Sequence, residues 1–102
     1  MPTINGSNVS KVVVACDAGM GSSVMLASTL RGQLKKNSIT VEHTPVNSIP
    51  DDADVIVVHE GLASRARGIA PDKPVITFKV FLGDPAVTKV VNAIKNGDDI
   101  DG

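Results

Sequence analysis

Short apolar runs rich in valine and isoleucine alternate with stretches of helical spacing, and this alternation leaves few architectures open to the chain. Val12-Val13-Val14-Ala15 is apolar at every position, the pattern of a strand covered on both faces. From Ser22 or Ser23 to Lys36 the spacing predicts a helix. Val24, Ala27, Leu30 and Leu34 keep one side of it, and Arg31, Lys35 and Lys36 face outward. The two serines can cap its start and Asn37 its end. Ile39 to Val46 alternates apolar and polar residues, and Pro45, which has no N–H for a ladder, marks it as an edge strand. After the turn Pro50-Asp51-Asp52, the run Asp54 to Val58 is the most β-branched in the chain and belongs at the centre of a sheet. Glu60 to Ile69 fits a short helix with Leu62, Ala66 and Ile69 inward, and Val75 to Phe78 a fourth strand after the turn Pro71-Asp72-Lys73-Pro74. Asp84-Pro85 supplies an N-cap and a first-turn proline. Val87, Val90, Val91 and Ile94 give that closing helix its buried side, and Gly97 its stop. Such an order implies the α/β class: a small, open, four-stranded parallel sheet with helices on both faces.

The chain has 102 residues, enough for one hydrophobic core without metal or disulfide staples. Residues 1–10 are polar and aperiodic and are expected to be a flexible leader or linker. Residues 11–97 form the folded domain, and 98–102 are expected to be a frayed tail. Ten basic and eleven acidic residues leave a net charge of −1, which argues against nucleic acid or an anionic membrane as partner. The aromatic residues are two phenylalanines, too few for base-stacking platforms. No apolar stretch approaches the ~20 residues that span a bilayer, so no direct membrane insertion is expected. A single cysteine makes no internal disulfide, and the expected compartment is the cytoplasm. No cluster of His, Cys and carboxylates has metal-ligand spacing, so neither metal nor organic cofactor is expected.

In open parallel sheets ligands bind beyond the carboxyl ends of the strands. Cys16 stands at the end of the first core strand and begins the run Cys16-Asp17-Ala18-Gly19-Met20-Gly21-Ser22-Ser23. A loop leaving a strand and entering a helix points several backbone N–H groups into one concavity, with the positive end of the helix behind them. Gly19 and Gly21 permit close approach of an anion, and Ser22 and Ser23 offer hydroxyl donors. The same field favours thiolate over thiol, and a thiolate can accept a phosphoryl group. A cysteine-dependent phosphatase of the low-molecular-weight type carries Cys-x5-Arg, in which the arginine grips the phosphoryl group. Here that position is Ser22, and Asp17 adds a negative charge beside the thiol. The loop therefore suits holding a phosphoryl group and passing it on.

The segment VVVACDAGMGSS, with the helix after it, resembles the phosphocysteine loop of enzyme IIB components of the bacterial sugar phosphotransferase system, the mannitol type above all. VIVVHEGLASRAR is similar to the strand-His-helix segment of the same family, and the likeness extends over about residues 11 to 95. The resemblance implies that Cys16 receives phosphate from a phosphohistidine on a IIA domain. It further implies delivery to a sugar or sugar alcohol, mannitol first among them, bound by a membrane-embedded IIC domain at the inner face of the membrane. By the same match Asp17, Ala18, Gly19, Met20, Gly21, Ser22 and Ser23 form the phosphate loop. Arg65 matches an arginine of the family segment and can meet a partner's acidic groups or balance phosphate charge; a solvated helix face is the other reading.

His59, at the end of the third core strand, can hydrogen-bond in the site or cap the strand end. Met20 with Val24 would form an apolar contact patch around the thiol, as relay between proteins requires. The isolated chain is expected to be monomeric. Two other readings stay open: a degenerate cysteine phosphatase, and a IIB-like regulatory module of a transcription factor.

Overall fold

The computed structural model describes residues 3–16, 21–35, 38–79 and 84–101. Its elements are β1 (Thr3–Asn5), β2 (Lys11–Cys16), α1 (Gly21–Leu34), β3 (Thr40–Pro45), β4 (Val55–His59), α2 (Ala63–Ile69), β5 (Val75–Phe78), α3 (Pro85–Asn96) and β6 (Asp99–Asp101). Short 3-10 turns occupy Gly6–Asn8, Val46–Ser48 and Glu60–Leu62. The loop Asp17 to Met20 and the helix stop expected at Asn37 lie outside the described residues.

β3, β2, β4 and β5 form a four-stranded sheet in that order, with every neighbouring pair parallel. This is the expected α/β architecture, with Pro45 at the end of an edge strand. Side chains alternate across the sheet. Val12, Val14, Val55 and Val57 pack on one face against Leu26, Ala27, Leu30 and Leu34 of α1 and against Val87, Val90, Val91 and Ile94 of α3. Val13, Ala15, Ile56 and Val58 pack on the other against Ala66 of α2 and Val46. Both central strands are thus covered twice, which is why they read as unbroken apolar runs.

Two helical positions differ from expectation. Val24 is 48% exposed, because the inward set of α1 is Leu26, Ala27, Leu30 and Leu34 and the helix begins at Gly21. Ile69 is 39% exposed, because Glu60–Leu62 is a 3-10 turn and the short α2 buries Ala63 and Ala66 instead. α3 follows its sequence signals at both ends: Asp84 caps it, Pro85 opens it and Gly97 closes it at φ 75°.

The leader and tail do not behave as free ends. Thr3–Asn5 pairs antiparallel with Asp99–Asp101, Ile4 opposite Ile100. Ile100 is buried, and Ile4 packs against the same core as α1 and α3. Asn5 Nδ2 donates to the Gly97 carbonyl at 2.8 Å, and the Gly6 N–H donates to the Asp98 carbonyl at 2.7 Å. Gly6 lies so close to α3 that a Cβ there would overlap the Ala93 carbonyl and approach Ile94 Cα to 2.8 Å. One isoleucine in each polar segment anchors the ribbon, too sparse a signal for periodicity to reveal.

Candidate functional site

All four strands of the sheet run the same way, so their carboxyl ends make one rim. Cys16 is the last residue of β2 and is in register with Pro45 of β3. On the other side of β2 the last paired positions are Ala15 and Val58, so the next residue of each strand, Cys16 and His59, stand side by side at the rim. Adjacent strands lie about 4.8 Å apart. Five residues after Cys16, α1 begins at Gly21 and runs for fourteen residues, and the N–H groups of such a first turn have no partner within the helix.

Of the expected phosphate loop, Asp17, Ala18, Gly19 and Met20 lie outside the described residues, as do the side chains of Cys16, Ser22 and Ser23. What the backbone establishes is a strand that ends at Cys16 and a helix whose first turn contains Gly21, Ser22 and Ser23. That is the strand-to-helix junction from which an anion site is built.

His59 is partly buried and held at two points. Its ring meets Phe78 edge to face, with centroids 5.7 Å apart and planes at 81°. His59 and Phe78 are paired in the β4–β5 register. The Nδ1 atom accepts from the Gly61 N–H at 3.2 Å and so caps the turn that leads into α2. A neutral imidazole that accepts at Nδ1 carries its proton on Nε2. The structural half of the two sequence readings is therefore present, at a strand end next to that of Cys16.

Arg65 is exposed on α2, whose buried side faces the sheet face opposite to that covered by α1. Val24 and Met25, 48% and 59% exposed, make an apolar patch in the first turns of α1. Sequence reasoning assigned Val24 both inward and to a contact patch; the outward placement is the one found. Met25 was missed, and its position between the inward Leu26 and the outward Val24 is the signal that would have found it.

Asp84 closes the β5 side of the rim. One carboxylate oxygen accepts from the Ala86 N–H at 2.8 Å, and the other from the Lys79 N–H at 2.7 Å. The residue is buried, so one side chain caps α3 and ties it to the chain leaving β5. At the opposite, amino end of the sheet, Lys11 Nζ donates to Asp52 at 3.0 Å and pairs with Glu42 at 3.1 Å. The hydrogen bond to Asp52 is the largest cause of a Lys11 pKa raised above 10.5; desolvation opposes it and Glu42 adds to it. Among the described residues no three His, Cys, Asp or Glu side chains gather as a metal site.

A family model described as "PTS system, Lactose/Cellobiose specific IIB subunit" matches residues 11–93. The chain belongs to this IIB family. Mannitol-specific EIICB components are among its relatives. That of Halalkalibacterium halodurans is 41% identical over 92 residues, covering 88% of this chain and 20% of the relative. That of Bacillus subtilis is 38% identical over 94 residues, 90% of this chain and 20% of the relative. That of Staphylococcus aureus strain COL is 40% identical over 97 residues, 92% of this chain and 19% of the relative. The IIB chain thus spans about a fifth of the length of these relatives. The matched segment opens at Lys11, the first residue of β2, and closes in α3, so it contains the whole parallel sheet and leaves out the β1–β6 ribbon.

Proposed function

We propose that this IIB chain is a phosphocarrier that takes a phosphoryl group from a phosphohistidine on a IIA domain and gives it to mannitol held by a IIC membrane domain. The observation that carries the reading is Cys16 as the last residue of β2, at the carboxyl rim and five residues before the N-terminus of α1, in a IIB-family chain. In the first step the Cys16 thiolate attacks phosphorus. The P–N bond breaks, a P–S bond forms, and the donor imidazole leaves with the electron pair of the broken bond. In the second, a mannitol hydroxyl attacks the same phosphorus, loses its proton, and the thiolate departs. A thiolate is both the nucleophile and the leaving group, so conditions that stabilise it serve both steps.

Asp17 to Ser23 would hold the phosphoryl group through backbone N–H groups and the serine hydroxyls, with the N-terminal end of α1 favouring its charge. The exposed Val24 and Met25 suit a docking surface beside the thiol, since transfer between proteins needs the donor brought into in-line reach. Mannitol as the sugar, and a IIC domain as the partner that binds it, are supported by the names of the EIICB relatives. No helix among the described residues is long and apolar enough to cross a membrane, so association with the cytoplasmic face of a membrane would run through the IIC partner. We assign the chain alone a monomeric state and a cytoplasmic location.

The test is incubation with a IIA domain phosphorylated on histidine, followed by mass determination of the chain. One phosphoryl group should appear on Cys16 and none on the Cys16→Ser variant, and the label should leave when IIC membranes and mannitol are added. Equal labelling of Cys16→Ser would refute the reading.

A further inference from the structure

We propose that the free edge of β5 takes up an extended segment of a partner protein as an added strand, and that this segment carries two adjacent acidic residues. β5 is the last strand of the sheet, with β4 on its other side. The Ile56 N–H donates to the Pro74 carbonyl at 3.0 Å, so the main-chain groups of Pro74, Ile76 and Phe78 turn toward β4. Those of Val75 and Thr77 turn outward, by the alternation along a strand. Among the described residues no hydrogen bond reaches these outward groups, although Val75 is buried and Thr77 partly so. Buried main-chain groups are rarely left without a partner. The next outward N–H, that of Lys79, is taken by Asp84 at 2.7 Å. The opposite edge of the sheet is guarded. There Thr40 turns its N–H toward β2, the outward Val41 carbonyl accepts from Arg31 Nε at 2.8 Å, and Pro45 has no N–H to offer.

The edge lies in a groove of about 280 Å³, lined by Lys89 of α3 and by Arg67 of α2. α3 and α2 cover opposite faces of the sheet, so the two cations flank the place of an added strand from both sides. Both are exposed, and among the described residues neither has an ion pair. Asp99 and Asp101 also line the groove, but β1 engages them. Asp99 accepts from Asn5 Nδ2 at 3.2 Å, and Asp101 from the Thr3 hydroxyl at 2.6 Å. The charges left to pair are positive. Successive side chains of a strand point to opposite faces, so neighbouring acidic residues would meet Arg67 and Lys89 in turn. A second copy of this chain fits less well, because its β5 edge is the uncharged run Val75-Ile76-Thr77-Phe78 and brings two more cations with it. Main-chain bonds would supply the affinity, and the ion pairs the choice of partner. β4 stands between this edge and the strand that ends in Cys16, so the inference does not depend on the phosphocarrier reading.

The probe is a capped peptide, Thr-Val-Glu-Glu-Val-Thr, titrated into the 15N-labelled chain beside a version with lysines in place of both glutamates. The glutamate peptide should shift the amide signals of Val75 and Thr77 and slow the exchange of the Thr77 N–H. The lysine version should bind at least about tenfold more weakly. Arg67→Glu and Lys89→Glu change exposed helix positions, so both variants should melt with the parent. Each should weaken the glutamate peptide by about fivefold, as an ion pair becomes a repulsion. Should either variant fail to fold, the two peptides on the parent chain decide. N-methylation of the peptide at both glutamates should abolish binding, because it removes a donor to the edge. Unmoved Val75 and Thr77 signals at millimolar peptide overturn the proposal. Equal binding of the glutamate and lysine peptides, or undiminished binding of the N-methylated one, overturns it as well. So does sedimentation of a dimer that protects the same two amides, since a second copy would then cover the edge.

Discussion

Replacing Asp84 by alanine removes the two carboxylate hydrogen bonds that join β5 to α3, and the structure allows their loss to be sized. The bond to the Ala86 N–H is a helix N-cap, whose removal costs about 1 kcal/mol. The bond to the Lys79 N–H, at 2.7 Å and partly buried, is charge-assisted. Its loss leaves a backbone donor without that partner, at about 1–3 kcal/mol. Together the variant should lose about 2–4 kcal/mol, a large share of the roughly 5–15 kcal/mol that holds such a domain together. At about 4–8 °C per kcal/mol for a domain of this size, the melting temperature should fall by about 8–32 °C. Asp84→Asn should fall by roughly half as much, because asparagine caps helices well while its amide can accept through only one atom. Calorimetry or far-UV circular dichroism at neutral pH reads all three proteins. A melting temperature for Asp84→Ala within about 3 °C of the parent would mean that the carboxylate does not tie the two elements together.

Gly6→Ala should destabilise the chain by about 1–3 kcal/mol, because its Cβ would overlap the Ala93 carbonyl and one of the two backbones must move. Chemical denaturation measures this, and an unchanged midpoint would show that the ribbon does not press on α3. Lys11 has a folded-state pKa raised above 10.5, through Asp52 first and Glu42 after it. Its contribution is therefore fully present below the unfolded lysine pKa and lost as pH rises through the folded one. The difference in melting temperature between the parent and Lys11→Met should stay level from neutral pH to about pH 9 and narrow at higher pH. A difference that narrows toward acid instead would contradict the assignment.

Cys16 could be placed from sequence because its neighbours carry local signals. A run apolar at every position ends at it, and glycines and serines open a helix soon after. The ends of α3 were legible for the same reason, each determined by residues within one turn. Val24 was not, since the face that a helix buries depends on where the sheet lies, and a start only a residue or two earlier turns the whole stripe. Asp84 was readable as a cap, whereas its second bond joins it to Lys79 across a loop.

The α/β class, the strand and helix order, and the position of the thiol at a strand end follow from the sequence alone, because hydrophobic period and capping chemistry act over a few residues. The neighbours of that thiol are a tertiary matter. His59 comes beside Cys16 only through the parallel register of β2 with β4. The two polar ends of the chain become a ribbon only because Ile4 and Ile100 reach a core already built by other elements. Both outcomes depend on contacts between residues tens of positions apart, whose free energy exists only once the intervening chain has folded.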